Sequence, residues 1–170
     1  MTALVARVTP DGSWVEIAKQ KEIVNSELEM RAYFYEKVGF IISSVSGIAE
    51  TGAPTIAPAD ISNFELGTTI CDHLLRYAPR SPDNMRSSKP TDWLAYRASG
   101  AKSVRNFQEH SWRIRVSTMN TAVLVESSPS LSLHSEIYVG GIATASHETI
   151  GTTVRKALNA AMALRKQFVI

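Results

Sequence analysis

The feature that most constrains this chain is a repeated helix start. Glu65-Leu66-Gly67-Thr68-Thr69-Ile70 aligns without gaps with Thr149-Ile150-Gly151-Thr152-Thr153-Val154, 84 positions further on. Ser62-Asn63-Phe64-Glu65 is a capping box. Its hydroxyl and carboxylate satisfy backbone N–H groups that the first turn of a helix leaves without partners. Leu66, Ile70 and Leu74 then recur every four residues, with Cys71 and Ala78 beside them, so one helix face is apolar. Pro79 ends the pattern. Ser146 caps a second helix, in which Ile150, Val154, Leu158 and Met162 share a face with Ala157 and Ala161. These patterns predict helices near 62–78 and 146–165. Gly67 and Gly151, each in the first turn, leave room for a neighbouring helix to approach closely, a packing role.

Strand signals surround both helices. Leu4–Val8 and Trp14–Ala18 are β-prone and flank Thr9-Pro10-Asp11-Gly12-Ser13, a turn sequence. Met30–Phe34 and Gly39–Ile42 read as two more strands, with a short helix over Ser26–Lys37 as the alternative. Trp112-Arg113-Ile114-Arg115-Val116 alternates strictly, which buries one face and turns the arginines outward. Thr121–Glu126 and Glu136–Ile142 follow as strands. Asp92 is suited to cap a short helix through Tyr96, Gly100 breaks the pattern, and Lys102–His110 allows another turn or two. The expected fold is α+β: antiparallel sheet with two long helices, and an internal duplication in which a strand-rich unit is closed by a helix, twice. The opening hairpin around Val8 and Trp14–Ile17 matches Val116 and Ala122–Val125 in pattern. The expected organisation is one domain over 1–170, with halves of about 1–78 and 101–170 joined by a Pro-, Ser- and Arg-rich link, 79–100.

Composition narrows the class. The apolar fraction of 44% and charged fraction of 20% over 170 residues are those of a globular domain. No apolar run is long enough to span a membrane. The N-terminal residues lack the order of a signal peptide, and the single Cys71 excludes an intrachain disulfide, so a cytoplasmic location is expected. Catalytic patterns are scarce. Gly47-Ile48-Ala49-Glu50-Thr51-Gly52 has phosphate-loop glycine spacing, but Ala53-Pro54 stands where Lys-Ser/Thr would hold phosphate and magnesium. Cys71 and His73, two apart on a helix, point to different sides and form no nucleophile–base pair. His73, His110, His134 and His147 show no zinc-ligand spacing. No catalytic residue, metal site or cofactor is expected.

Charge is polarised. Residues 1–75 hold five basic and ten acidic side chains, whereas residues 76–115 hold nine basic and three acidic. Arg76, Arg80, Arg86, Lys89, Arg97, Lys102, Arg105, Arg113 and Arg115 interleave with Tyr77, Trp93, Tyr96, Phe107 and Trp112. Cations among stacking rings can hold single-stranded nucleic acid. Equally, Phe107 and Trp112 can be core and the arginines a solvated rim.

Three segments carry a family resemblance. They are Ala59-Asp60-Ile61-Ser62-Asn63-Phe64-Glu65-Leu66-Gly67, Gly100–Phe107 running into Trp112-Arg113-Ile114, and Ala143–Gly151 continuing to Val154, Ala157 and Leu158. Together they resemble the immunity proteins of contact-dependent growth inhibition, the CdiI group, over roughly 55–165. Ser127–Leu133 departs from that pattern. The plan is also similar to duplicated strand–helix folds that bind single strands, such as the Whirly proteins. The CdiI resemblance implies a cytoplasmic α+β protein without catalysis of its own. Its partner would be the cognate CdiA C-terminal toxin domain, a nuclease by expectation. Toxin contact is then expected from loop residues not needed for the core: Asp60, Asp83, Asp92, Trp93 and Tyr96. Each also has a structural role open to it, Asp60 ahead of a helix cap, Asp92 as a cap and Trp93 as a buried ring.

Overall fold

The computed structural model describes residues 2–8, 14–21, 28–79, 89–119, 122–131, 137 and 139–168. Strands β1 (Thr2–Val8) and β2 (Trp14–Lys21) pair antiparallel as a two-stranded ribbon. The turn read at Thr9–Ser13 lies outside the described residues. Six further strands form one open antiparallel sheet: β3 (Glu29–Tyr35), β4 (Gly39–Ser46), β5 (Ala49–Ala57), β6 (Ser111–Met119), β7 (Ala122–Pro129) and β8 (Val139–Thr144). Their order is β5-β4-β3-β6-β7-β8. Helix α1 (Asn63–Leu74) follows β5, and α4 (His147–Phe168) follows β8. Two short helices, α2 (Leu94–Ser99) and α3 (Val104–Glu109), lie between the halves in sequence. The chain is an α+β protein.

Alternation along the strands divides the sheet into two faces. Met30, Ala32, Phe40, Ile42, Ile114 and Val116 form the main core with Leu66, Ile70 and Leu74 of α1 and Ile150, Val154 and Leu158 of α4. The intervening Tyr33, Tyr35 and Ile41 point the other way and pack on Ala95 of α2 and Phe107 of α3. Gly100, with φ of 65°, adopts the left-handed conformation that ends α2.

The duplication has a register. Across β3 and β6, Met30 faces Val116, Ala32 faces Ile114 and Arg31 faces Arg115. A shift of 84 positions exchanges the first two pairs and maps the third onto itself, so a local two-fold axis passes through the Arg31–Arg115 pair. The same shift relates the helices. A Cβ on Gly67 would overlap the carbonyl oxygen of His147, at 2.6 Å from its carbonyl carbon, and one on Gly151 would overlap that of Asn63, at 2.7 Å from its carbonyl carbon. Each glycine, the fifth residue of its helix, thus receives the first residue of the other. The two-fold partner of the β6–β7 hairpin is β3–β4. The alignment of β6–β7 with the opening hairpin is therefore corrected: β1–β2 forms a separate ribbon. The repeating units begin at β3 and at β6.

Residues 29–35 form the strand expected at Met30–Phe34, and not the alternative helix, because pairing on both sides places Tyr33 and Tyr35 on one face and Ala32 on the other. Other differences have local causes. Helix α1 stops at Leu74, before Pro79, because Ala78 exchanges backbone hydrogen bonds with Val45 and Gly47 at the end of β4. Strand β5 has no clear signal in the sequence. It contains Gly52 and Pro54, and the register with β4 shifts around Ser43, where β5 bulges. An edge strand tolerates both residues, since its outer N–H groups need no ladder partner.

Cys71 lies in the main core, and burial, aided by the charge of Asp72, pushes its thiol up to about 12. The reactive thiolate is therefore scarce at neutral pH. A water-soluble aromatic disulfide reagent should label no thiol in the folded protein at pH 8 and one per chain after denaturation. Rapid labelling of the folded protein would contradict this packing.

Candidate functional site

The second face of the sheet is only partly covered. Over β3, β4 and β5 it carries α2 and α3. Trp93, just ahead of α2, stands edge-on to Tyr33 at 5.1 Å and to Phe107 at 4.8 Å between ring centroids. The Trp93 indole N–H donates to Glu50 Oε1 at 2.9 Å, and the Tyr33 hydroxyl donates to the same oxygen at 2.5 Å. Burial, reinforced by the Glu50 charge, raises the Tyr33 phenol well above its usual range, so it stays a neutral donor.

Beyond this cover, β3, β6 and β7 floor a cleft of about 430 Å3 lined by Glu29, Arg31, Gly47, Ile48, Arg113, Arg115, Glu126 and Ser128. Register dictates its electrostatics. Arg31 and Arg115 face each other across adjacent strands, an arrangement that repels unless neutralised. Glu29 accepts from both, at 3.5 Å from Arg31 Nη2 and 2.7 Å from Arg115 Nη2. Glu126 lies 3.4 Å from Arg115 Nη1. Arg31 also donates to the Ile48 carbonyl at 3.1 Å. Arg113 differs. Its cross-strand neighbours are Tyr33 on β3 and Ser128 on β7, and its guanidinium donates to Ser128 Oγ at 3.4 Å. Among the described residues no carboxylate lies within ion-pair distance of it.

The sequence-predicted contact residues do not form one cluster. Asp92, Trp93 and Tyr96 belong to one segment. The Asp92 carboxylate is committed to its own turn, accepting from the Lys89 N–H at 3.0 Å and pairing with Arg97 at 2.8 Å. Trp93 and Tyr96 are half-buried against Phe107. Asp60 is exposed, on the turn from β5 into α1. Arg155 of α4 ties down that connection, donating to the carbonyls of Ala59 and Ile61 and to Asn63 Oδ1. Asp83 lies outside the described residues, as do Arg80, Arg86 and His134. The cleft arginines were missed as a group. The strict alternation at Trp112–Val116 turned two of them to one face, but nothing local places Arg31 opposite Arg115.

Phe107 is fully buried and Trp112 is 6% exposed, on opposite faces of the sheet. Two of the rings that interleave with the basic stretch are thus core, which removes them as a stacking platform for a nucleic-acid strand. Buried His73 accepts or donates through both ring nitrogens, Nδ1 to Ser44 Oγ and Nε2 to Thr55 Oγ1, each at 2.8 Å. It fastens α1 to β4 and β5. Among the described residues no three His, Cys, Asp or Glu side chains converge as a metal site, and no helix is long and apolar enough to cross a membrane.

No family model and no curated protein matches the sequence. Solved structures do match its fold. One, described as a protein of unknown function from Neisseria meningitidis, superposes with a TM-score of 0.62 at 21% identity, covering 83% of this chain and 99% of the other. A chain from the CdiA-CT/CdiI toxin and immunity complex of Yersinia pseudotuberculosis superposes with a TM-score of 0.56 at 16% identity, covering 81% and 98%. The α+β fold is shared with both over about four-fifths of this chain and nearly the whole of theirs.

Proposed function

We propose that this chain is an immunity protein that binds and neutralises the C-terminal toxin domain of a contact-dependent growth inhibition exoprotein. The observation that carries this reading is the fold held in common with a chain of a CdiA-CT/CdiI complex. The capped-helix motifs that resemble the CdiI group are the residues that build this fold, through the crossing at Gly67 and Gly151. Inhibition requires no reaction. The protein occludes the toxin's active site or substrate surface, and charge complementarity speeds the encounter and sets which toxin is accepted. In this reading it acts in the cytoplasm, the toxin is a nuclease, and the protein has no catalytic residue or cofactor.

Co-expression with the toxin domain encoded beside it should restore growth, and the two purified chains should elute together. Toxin domains of unrelated sequence should not be neutralised, because a charged interface rejects mismatched charge as well as accepting its match. Undiminished killing in the presence of folded protein would overturn the reading. A salt-dependent shift of single-stranded RNA or DNA in that case would support nucleic-acid binding instead.

A further inference from the structure

We infer that the cleft over β3, β6 and β7 receives one carboxylate side chain of the partner, and that Arg113 is the residue that binds it. The inference rests on the toxin-binding reading and names a contact within it. Among the described residues five charges line the cleft: Arg31, Arg113 and Arg115 against Glu29 and Glu126. Four of them satisfy one another, through Glu29 between Arg31 and Arg115 and through Glu126 on Arg115. Among the described residues the surplus is a single positive charge, and register assigns it to Arg113, which has a phenol on one side and a hydroxyl on the other. A guanidinium takes a carboxylate through two parallel N–H donors, and the Ser128 hydroxyl, 3.4 Å from Arg113 Nη2, adds a third donor beside them. A nucleic-acid backbone suits this cleft poorly, since successive phosphates each need a cation and, among the described residues, Arg113 alone of the three cleft arginines has no carboxylate partner. At the rim, Ile48 on the β4–β5 turn is 69% exposed, an apolar flank that would exclude water from the pair.

The test measures affinity of the full chain for the toxin domain encoded beside it. Arg113→Glu should weaken binding by about 30-fold or more, the range for removing one partner of a desolvated charge pair. Arg113→Lys, which keeps the charge and loses the fork, should weaken it less. Arg105→Glu, an equally drastic change at an exposed α3 arginine paired only within its own helix, should leave affinity within about twofold. Alanine replacement of each Asp and Glu of the toxin domain should then reveal one position whose effect disappears in the Arg113→Glu background. Matching thermal midpoints for the two Arg113 variants and the wild type confirm that folding is not the cause. Retained affinity in Arg113→Glu overturns the inference and leaves the toxin-binding reading standing. Failure of the wild type to bind the toxin domain overturns both.

Discussion

Gly67→Ala should destabilise the protein by about 3 kcal/mol, at the upper end of what overpacking costs, and lower the thermal midpoint by roughly 6–12 °C. The sign is the opposite of the ordinary expectation. Alanine inside a helix is normally preferred to glycine by about 1 kcal/mol, because glycine loses more backbone freedom on folding. Here the added Cβ meets backbone of the facing helix, at 2.6 Å from the His147 carbonyl carbon and 2.9 Å from its Cα, and backbone cannot rotate away as a side chain would. The helices must part along their crossing, which loosens the core formed by Leu66, Ile70, Ile150 and Val154. Gly151→Ala should behave alike, since its Cβ meets Asn63 in the symmetric arrangement. The two effects should not add. Once one methyl has separated the helices, the second enters an interface already relaxed, so the double variant should lose clearly less than the sum. Thr68→Ala and Thr152→Ala, next to the glycines but not at the crossing, serve as controls and should stay within about 1 kcal/mol. An unchanged or raised midpoint for Gly67→Ala would contradict the close crossing.

Those glycines also show what can be read from a sequence and what cannot. The capping box, the four-residue apolar spacing and the repeated Gly-Thr-Thr are local patterns, each tied to one helical turn, and both long helices are found where these patterns place them. Strict alternation likewise identified β6, because half-buried strands repeat every two residues. Strand β4 is legible at Gly39–Ile42 as an apolar run and not as an alternation, since Gly39 through Val45 are all buried and both of its faces are covered. Strand β5 offered less, with Gly52 and Pro54 inside it and only Ala57 of its nine residues buried. The candidate site is less legible still. Arg31 falls in the acidic first part of the chain and Arg113 and Arg115 in the basic middle, so charge counting along the sequence separates groups that the β3–β6 pairing joins. Trp93 was readable as an aromatic anchor on a loop. Its hydrogen-bond partner within the chain, Glu50, is 43 positions away and only the fold brings them together.

Acidification from pH 7 to pH 4 should remove roughly 3 kcal/mol of stability through His73 alone. Burial, with the charge of Arg76 adding to it and that of Asp72 opposing, pulls this imidazole from its ordinary 6.5 down to about 4. In the unfolded chain the ring protonates near 6.5. In the folded chain it stays neutral until about 4, held between Ser44 and Thr55 with one ring nitrogen donating and the other accepting. Between those values the unfolded state therefore binds the extra proton, and falling pH draws the equilibrium toward it. The contribution is fully present above the unfolded value, is lost progressively as pH drops below it, and levels off near 4. Carboxylates also titrate in the lower part of this window, so the wild type alone cannot isolate the effect. His73→Asn can keep one hydroxyl contact but has no proton to gain. It should be less stable than wild type at pH 7, because a buried hydrogen bond is lost, yet its stability should fall less steeply between pH 6.5 and 4. Denaturant unfolding of both proteins across that range gives the two slopes. Parallel curves would mean that His73 is protonated as readily in the fold as out of it, and that the Ser44–His73–Thr55 tie between α1 and the sheet is not the neutral, buried contact described.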